Sequence, residues 1–193
     1  MNTPELRTKR LILRRFIEED LNELFLILSD EEVNTYLPWY PVKNIEETRN
    51  HYLRKYASVY ELPNGYAYAI CLKENNLPIG YINVNIGEGH DFGYGLSKEY
   101  WNKGIVTEAA MAVIEQVKKD GLKYITATHD ISNPNSGKVM KKLGMKYCYS
   151  YEEQWMPKDI KVIFRMYQLN FDNSEYVYDK YWNMYDKHFV EEI

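Results

Sequence analysis

The stretch "YWNKGIVTEAA", residues 100–110, decides how this chain is read. An aromatic pair is followed by Lys103 and Gly104, and then by an uninterrupted helical run. Glycine at a helix start is costly unless the backbone there has work to do. The first N–H groups of a helix have no internal partner and point outward with the positive end of the helix dipole. A phosphate satisfies both, and a residue without Cβ lets it come close. Asn102 and Lys103 add donors. Neither G-x-x-x-x-G-K-[ST] nor G-x-G-x-x-G is present. On its own the stretch divides evenly between an anion cradle and a plain helix cap.

Working outward, "GIVTEAAMAVIEQVKKDG" (104–121) is the strongest helix, with Ala109, Ala110, Val113, Ile114 and Val117 on one stripe and Gly121 at its end. Before it, "GYAYAICL" (65–72), "PIGYINVNI" (78–86) and "DFGYGLS" (91–97) predict an antiparallel meander. Further upstream come a strand in "TKRLILRRF" (8–16), helices in 17–30 and 45–60, and the Pro-aromatic loop "TYLPWYPV" (35–42). After the central helix follow a strand "YITATHD" (124–130), a turn and short helix in "NPNSGKVMKKLG" (133–144), and strands in 145–156 and 161–171. The tail 172–193 places Tyr178, Tyr181, Trp182 and Tyr185 on one face of an expected amphipathic helix. One domain over 1–171 plus this Tyr-rich extension, packed on the domain or at a dimer interface, is the economical reading. The class is α+β.

The 193 residues suffice for one domain with a real core. A net charge of -4 speaks against nucleic acid or an anionic membrane as direct partner. No apolar run approaches the ~18 residues of a membrane span, and "MNTPELRTKRLILRRF" has no signal-peptide core. Cys71 and Cys148 have no metal-like spacing and read as core thiols, which suits a reducing cytoplasm. No metal is expected.

Three motifs in register carry a resemblance. "YWNKGIVTEA" resembles the acetyl-CoA loop of the GCN5-related N-acetyltransferases, in the branch of the ribosomal-protein alanine and serine acetyltransferases. Trp101 stands at the superfamily's Gln/Arg position, where the branch has an aromatic. Val106 stands at its second Gly/Ala position, which predicts a tighter loop. "DFGYGLS" resembles the branch's Glu-x-Gly-Tyr-x-Leu, and "NPNSGKVMKKLGMKY" its Asn-x-x-Ser-x-x-Val segment. The order of elements fits from residue 8 to about 171, and the tail lies beyond it.

The resemblance implies a mixed, mostly antiparallel sheet splayed into a V between "DFGYGLS" and "YITATHD", with helices on both faces. Pantetheine would enter the V, and the pyrophosphate would meet the backbone of Asn102, Lys103, Gly104, Ile105, Val106 and Thr107, with Leu96, Trp101, Asn133 and Ser136 completing the acetyl-CoA site. Asp91 matches the branch's acidic residue and is the candidate base; from the residues alone it is a strand-start carboxylate. Ser136 is the candidate donor to the leaving thiolate, or else an N-terminal helix residue. Many superfamily members carry a tyrosine acid where Met140 stands, which puts that mechanism in doubt here and raises Ser136.

Weaker candidates surround these. Glu108 complements its helix N-terminus. His129 ends a strand beside the cleft, and Lys138, Lys141 and Lys142 are either a phosphate contact or a solvated face. Trp39 and Tyr40 are candidates for a wall of the acceptor site. The expected activity is acetyl transfer to a primary amine, a protein N-terminus being favoured, by direct attack in a ternary complex. A small-molecule or antibiotic amine, and a non-catalytic CoA-binding module, are the alternatives.

Overall fold

A computed structural model describes residues 2–172 and 174–193. Asn173, inside the expected tail helix, lies outside the described residues. Five antiparallel strands run in the order β1 (Leu6–Arg7), β2 (Leu11–Arg14), β3 (Tyr66–Leu72), β4 (Pro78–Val84), β5 (Phe92–Leu96). A second group has the order β6 (Tyr124–Asp130), β8 (Ile160–Asn170), β7 (Lys146–Trp155), β9 (His188–Phe189). The two groups meet at one isolated parallel bridge, Asp91 to Thr126. The His90 carbonyl accepts from the Thr126 N–H at 3.3 Å there, and the Thr126 hydroxyl donates to the Gly89 carbonyl at 2.8 Å. Among the described residues no ladder continues between β5 and β6. The sheet is therefore closed beside Asp91 and splayed beyond it, as the resemblance implied.

Side-chain alternation assigns the two faces. Leu11, Leu13, Ile82, Phe92, Ile125 and Ala127 face α4 (Ile105–Lys119) and α5 (Pro134–Lys142). Their neighbours Ile12, Ala67, Ala69, Cys71 and Tyr81 face α1 (Leu21–Ser29) and α2 (Ile45–Tyr52). The α4 stripe is buried as expected at Ala109, Ala110, Val113 and Val117. Helix α2 runs into a π-helical turn, Leu53–Ala57, and closes with α3 (Ser58–Tyr60). The extra residue in that turn aims Tyr56 into the core, where it is 1% exposed and 4.5 Å from the Phe16 ring.

The tail departs from expectation. Instead of one long helix it forms a five-residue helix, α6 (Lys180–Met184), and then β9 on the edge of β7. Side chains of the sheet take the backbone groups that a helix would use internally. Gln168 Oε1 accepts from the Tyr178 N–H at 2.8 Å, and the Tyr149 hydroxyl donates to the Tyr178 carbonyl at 2.7 Å. Aromatic residues are also mediocre helix formers. Three of the four tail aromatics still share a purpose. Tyr181, Trp182 and Tyr185 pack on Tyr149, Tyr151, Phe164 and Met166, with the Tyr185 ring stacked on Tyr151 at 4.8 Å.

Candidate active site

Gly104 adopts φ +71, the left-handed conformation that favours glycine, and Asn102 adopts φ +59. The reason for the glycine is therefore conformational: a Cβ there would meet only Arg10 Nη2, at 3.7 Å. The two left-handed residues turn the chain sharply into α4. Among the described residues, none accepts a well-formed hydrogen bond from the N–H groups at 102–107. Trp101 is fixed by its indole N–H, which donates to the Leu96 carbonyl at 2.7 Å and so ties the loop to the end of β5. Val106 packs against the core below the loop.

Glu108 does not cap its own helix. Its carboxylate takes the Thr8 hydroxyl at 2.6 Å, the Arg10 N–H at 2.8 Å and Arg10 Nε at 2.7 Å, while Arg10 Nη1 reaches the Lys103 carbonyl at 2.9 Å. Burial works against ionisation of Glu108, but these hydrogen bonds outweigh it and hold the carboxyl below its usual range. The β1–β2 turn thus braces the loop from behind.

Ser136 lies in the first turn of α5, whose N-cap Asn133 accepts its N–H at 3.3 Å. Ser136 Oγ is 2.8 Å from the hydroxyl of Tyr94 on β5, which also donates to the Ser136 carbonyl at 3.0 Å. Burial raises the Tyr94 hydroxyl to about 12, with the Ser136 contact acting against it. The sequence reading quoted Tyr94 within "DFGYGLS" but gave it no role; its place opposite the serine was the missing information. Met140 is buried in the core, 1% exposed.

Asp91 sits on the other face of β5. The residue is half-buried, but its Oδ1 is sealed from solvent with no hydrogen-bond partner, and burial pushes the carboxyl up to about 6. Tyr151, Tyr178 and Tyr181 stand close enough to feel its charge. The tail therefore contributes to the surroundings of Asp91, which the sequence reading did not foresee.

The remaining candidates separate from this centre. His129 is buried beneath α5, its Nδ1 2.7 Å from the Asp130 carbonyl and its Nε2 against Gly137; burial lowers its basicity. Lys138, Lys141 and Lys142 are exposed on α5. Burial raises the Cys71 and Cys148 thiols to about 12 and about 11, so neither is poised as a nucleophile. Trp39 and Tyr40 line a hollow of about 230 Å³ with Val42, Glu47, Asn50, His51 and Arg54; neither Asp91 nor Ser136 borders it. The loop carrying Trp39 is pinned by Asn34, whose Oδ1 accepts the indole N–H at 3.3 Å, and by Lys158, which reaches the Asn34 and Thr35 carbonyls at 3.2 Å.

A splayed sheet and a left-handed loop opening a long helix point to a transferase that uses an acyl-CoA donor. The family model of the acetyltransferase (GNAT) domain matches residues 10–146, and the chain belongs to this family. It is 31% identical over 158 residues to an uncharacterized N-acetyltransferase, YnaD, of Bacillus subtilis, a match covering 77% of this chain and 89% of that protein. Its fold is similar to that of the Salmonella typhimurium acetyltransferase that modifies the N-terminal serine of ribosomal protein L7/L12 (TM-score 0.75, 19% identity, 86% and 97% covered). It is also similar to the microcin C7 self-immunity acetyltransferase MccE, solved with acetyl-CoA and AMP (TM-score 0.73, 18% identity, 84% and 93% covered). The chain is an N-acetyltransferase, and acetyl-CoA is the donor its family uses. The unpartnered N–H groups and the unpaired strand edges at the V fit that donor. No described helix is long and apolar enough to cross a membrane.

Proposed function

We propose that this enzyme acetylates the α-amine of a protein or peptide N-terminus by direct attack in a ternary complex. The observation that carries the reading is the placement of two proton-handling groups on opposite faces of one strand. Asp91 faces the α1–α2 side at the closed end of the V, and the Tyr94–Ser136 pair faces the α4–α5 side where β5 and β6 splay apart. Acetyl-CoA supplies a thioester whose carbonyl carbon is open to attack by nitrogen. Residues 102–107 hold its phosphates, and Leu96, Trp101 and Asn133 frame the entrance.

Asp91 Oδ1 takes the proton that the ammonium must lose before it attacks. Ser136 Oγ, backed by Tyr94, delivers a proton toward the sulfur as the C–S bond breaks. The proton arithmetic favours an α-amine. Moving a proton from an amine of pKa ~8 to a carboxylate at about 6 costs about 3 kcal/mol, against about 6 kcal/mol from a lysine at ~10.4.

A small-molecule amine is the second reading. It draws on the likeness to MccE and on the Trp39–Tyr40 hollow, where burial and the charges of Lys55 and Arg54 hold His51 near 4. Calorimetric titration with acetyl-CoA, followed by a thiol-release assay over serine- and alanine-initiated peptides, lysine side-chain amines and small amines, separates them. Peptide N-termini turning over best is the expected result. Best turnover of a small amine moves the assignment to the second reading, and acetyl-CoA binding without thiol release on any amine overturns both.

A further inference from the structure

The family match ends at residue 146, and the tail lies beyond it. Tyr178 of the tail nonetheless stands at the closed end of the V. A Cβ on Gly89, two residues before Asp91, would lie 3.2–3.4 Å from the Tyr178 ring and hydroxyl. Tyr178 is 6% exposed, and the sheet holds its backbone on both sides, the N–H by Gln168 Oε1 and the carbonyl by the Tyr149 hydroxyl. The Tyr181 ring meets Tyr178 edge-on at 5.5 Å and stacks on Tyr151 at 5.1 Å. These are the three tyrosines that surround Asp91, and two of them belong to the tail.

The turn that leads into Asp91 is strained. His90 adopts φ +46, a left-handed conformation that a side chain other than glycine keeps only where its surroundings over-determine it. Three hydrogen bonds do so. The Gly87 carbonyl accepts the His90 N–H at 2.9 Å, the Thr126 hydroxyl donates to the Gly89 carbonyl at 2.8 Å, and the Tyr124 hydroxyl donates to the Glu88 carbonyl at 2.6 Å. The Tyr124 ring also packs beside His90 at 5.4 Å. Tyr176 and Tyr178 pack on that same Tyr124 ring, at 5.1 and 6.4 Å. The tail is thus the outer layer over the turn from which Asp91 emerges.

We propose that the tail works in catalysis through Tyr178, a positioning residue whose ring keeps water from Asp91 and holds the turn that aims its carboxyl. The proposal rests on the reading of Asp91 as the base and deepens it. Tyr178 takes no proton in this scheme. It acts by burial: a carboxylate deprived of water and of hydrogen-bond partners takes a proton from an ammonium more readily. The titratable groups around Asp91 are Tyr178 and Tyr181 from the tail, Tyr151 from β7, and Glu88 and His90 from its own turn. Thr126 of β6 carries no charge, and Tyr81 of β4 lies further along, against Gly95. Lys180 of α6 pairs with the exposed Glu88 at 3.7 Å. Burial is therefore what raises the Asp91 carboxyl, and removing the ring that buries it is the decisive change.

The test measures thiol release by the full chain at saturating acetyl-CoA with a serine-initiated peptide, from about pH 5 to about pH 9. Tm and acetyl-CoA affinity are recorded for each variant. Wild type is expected to lose activity in acid with a limb at about 6. Tyr178→Ala removes the ring and keeps the backbone bonds to Gln168 and Tyr149. It is expected to move the limb about one pH unit toward the ordinary 3.8 and to lower kcat about ten-fold, with acetyl-CoA affinity within about two-fold of wild type. Tyr178→Phe restores the ring and is expected to recover the wild-type limb and most of the rate. Glu191→Gln loosens the tail where Glu191 pairs with Arg165, and is expected to lower Tm without moving the limb. If Tyr178→Ala does not stay folded, Tyr178→Leu is read in its place, with a shift in the same direction. An unmoved limb in the folded variant overturns the proposal and leaves the tail a structural element. So does failure of Tyr178→Phe to recover the limb, which assigns the effect to the hydroxyl. If the Asp91→Asn profile superimposes on wild type, the base itself is misassigned and the proposal falls with it. If Asp91→Asn abolishes the limb while Tyr178→Ala leaves it in place, the base stands and the role of Tyr178 alone has failed.

Discussion

The two faces of β5 are built by different means. On the α4–α5 face the candidate donor loop is made of backbone: left-handed residues at 102 and 104, and a row of N–H groups without partners among the described residues. On the α1–α2 face the candidate base is a side chain, the Asp91 carboxylate, whose Oδ1 is buried without a partner. A backbone site keeps its function through many side-chain changes and fails when its dihedral angles are disturbed. A side-chain site fails one atom at a time.

The sharpest way to break this comparison is Asp91→Asn. It is expected to lower kcat/KM by about 10²–10⁴-fold, the usual range for loss of a general base. In wild type, activity falls as pH drops through about 6, where burial has placed the carboxyl; in the variant that limb disappears. Stability moves the other way. A carboxyl raised from 3.8 to about 6 binds its proton more tightly when folded. Its favourable contribution is present in acid and is lost as pH rises through about 6. Asp91→Asn is therefore expected to raise Tm at pH 7. A pH–rate profile superimposable on wild type removes Asp91 as the base.

The backbone face predicts a different failure. Gly104→Glu forces an L-residue into φ +71 and puts negative charge in the cradle. It is expected to weaken acetyl-CoA binding about 100-fold, roughly 2.7 kcal/mol, by calorimetry. Gly104→Ala carries only the left-handed strain, ~1–2 kcal/mol, so the difference between the two variants reports the charge. Equal acetyl-CoA affinity in wild type and Gly104→Glu removes the loop assignment.

Between these extremes stand Ser136→Ala and Tyr94→Phe. Each is expected to slow kcat about ten-fold with acetyl-CoA affinity held within about two-fold, and the double variant to be no worse than either alone, because groups that act as a unit do not add. Equal losses in turnover and affinity make the pair a binding element.

How much of this was legible in the sequence follows from the same contrast. The central helix, the meander and the loop leave local marks: an apolar stripe at helical spacing, alternation in the strands, and a glycine before "IVTEAA". Asp91 and Ser136 became candidates through motifs beside those marks. Tyr94 was in view, but its partner is 42 residues away. The tail misled because helical spacing of aromatics is indistinguishable, in one dimension, from aromatics that stack on a sheet while side chains of that sheet hold their backbone extended.

The tail also supplies the smallest expected effect, and it reverses the sign found at Asp91. Glu191 reaches past the edge of β7 to bond Arg165 Nη2 and the Ser150 hydroxyl, each at 2.5 Å. Arg165 first, then Ser150, holds its carboxyl below the usual range despite partial burial. A depressed carboxyl contributes stability that is present above its ordinary 4.5 and lost as pH falls through the lower folded value. About a quarter of each partner's side chain remains exposed, so solvent screens the pair. Glu191→Gln, which keeps the shape and removes the charge, is expected to cost about 1 kcal/mol at pH 7, or about 2–4 °C in Tm for a chain of this size. The loss shrinks toward zero in acid, whereas the gain from Asp91→Asn, also absent in acid, grows as pH rises to 7. Opposite signs in one series of melting curves would show that the fold uses the tail carboxylate to hold itself together and tolerates the strand carboxylate for chemistry. A common sign would mean that Asp91 is, like Glu191, a structural group.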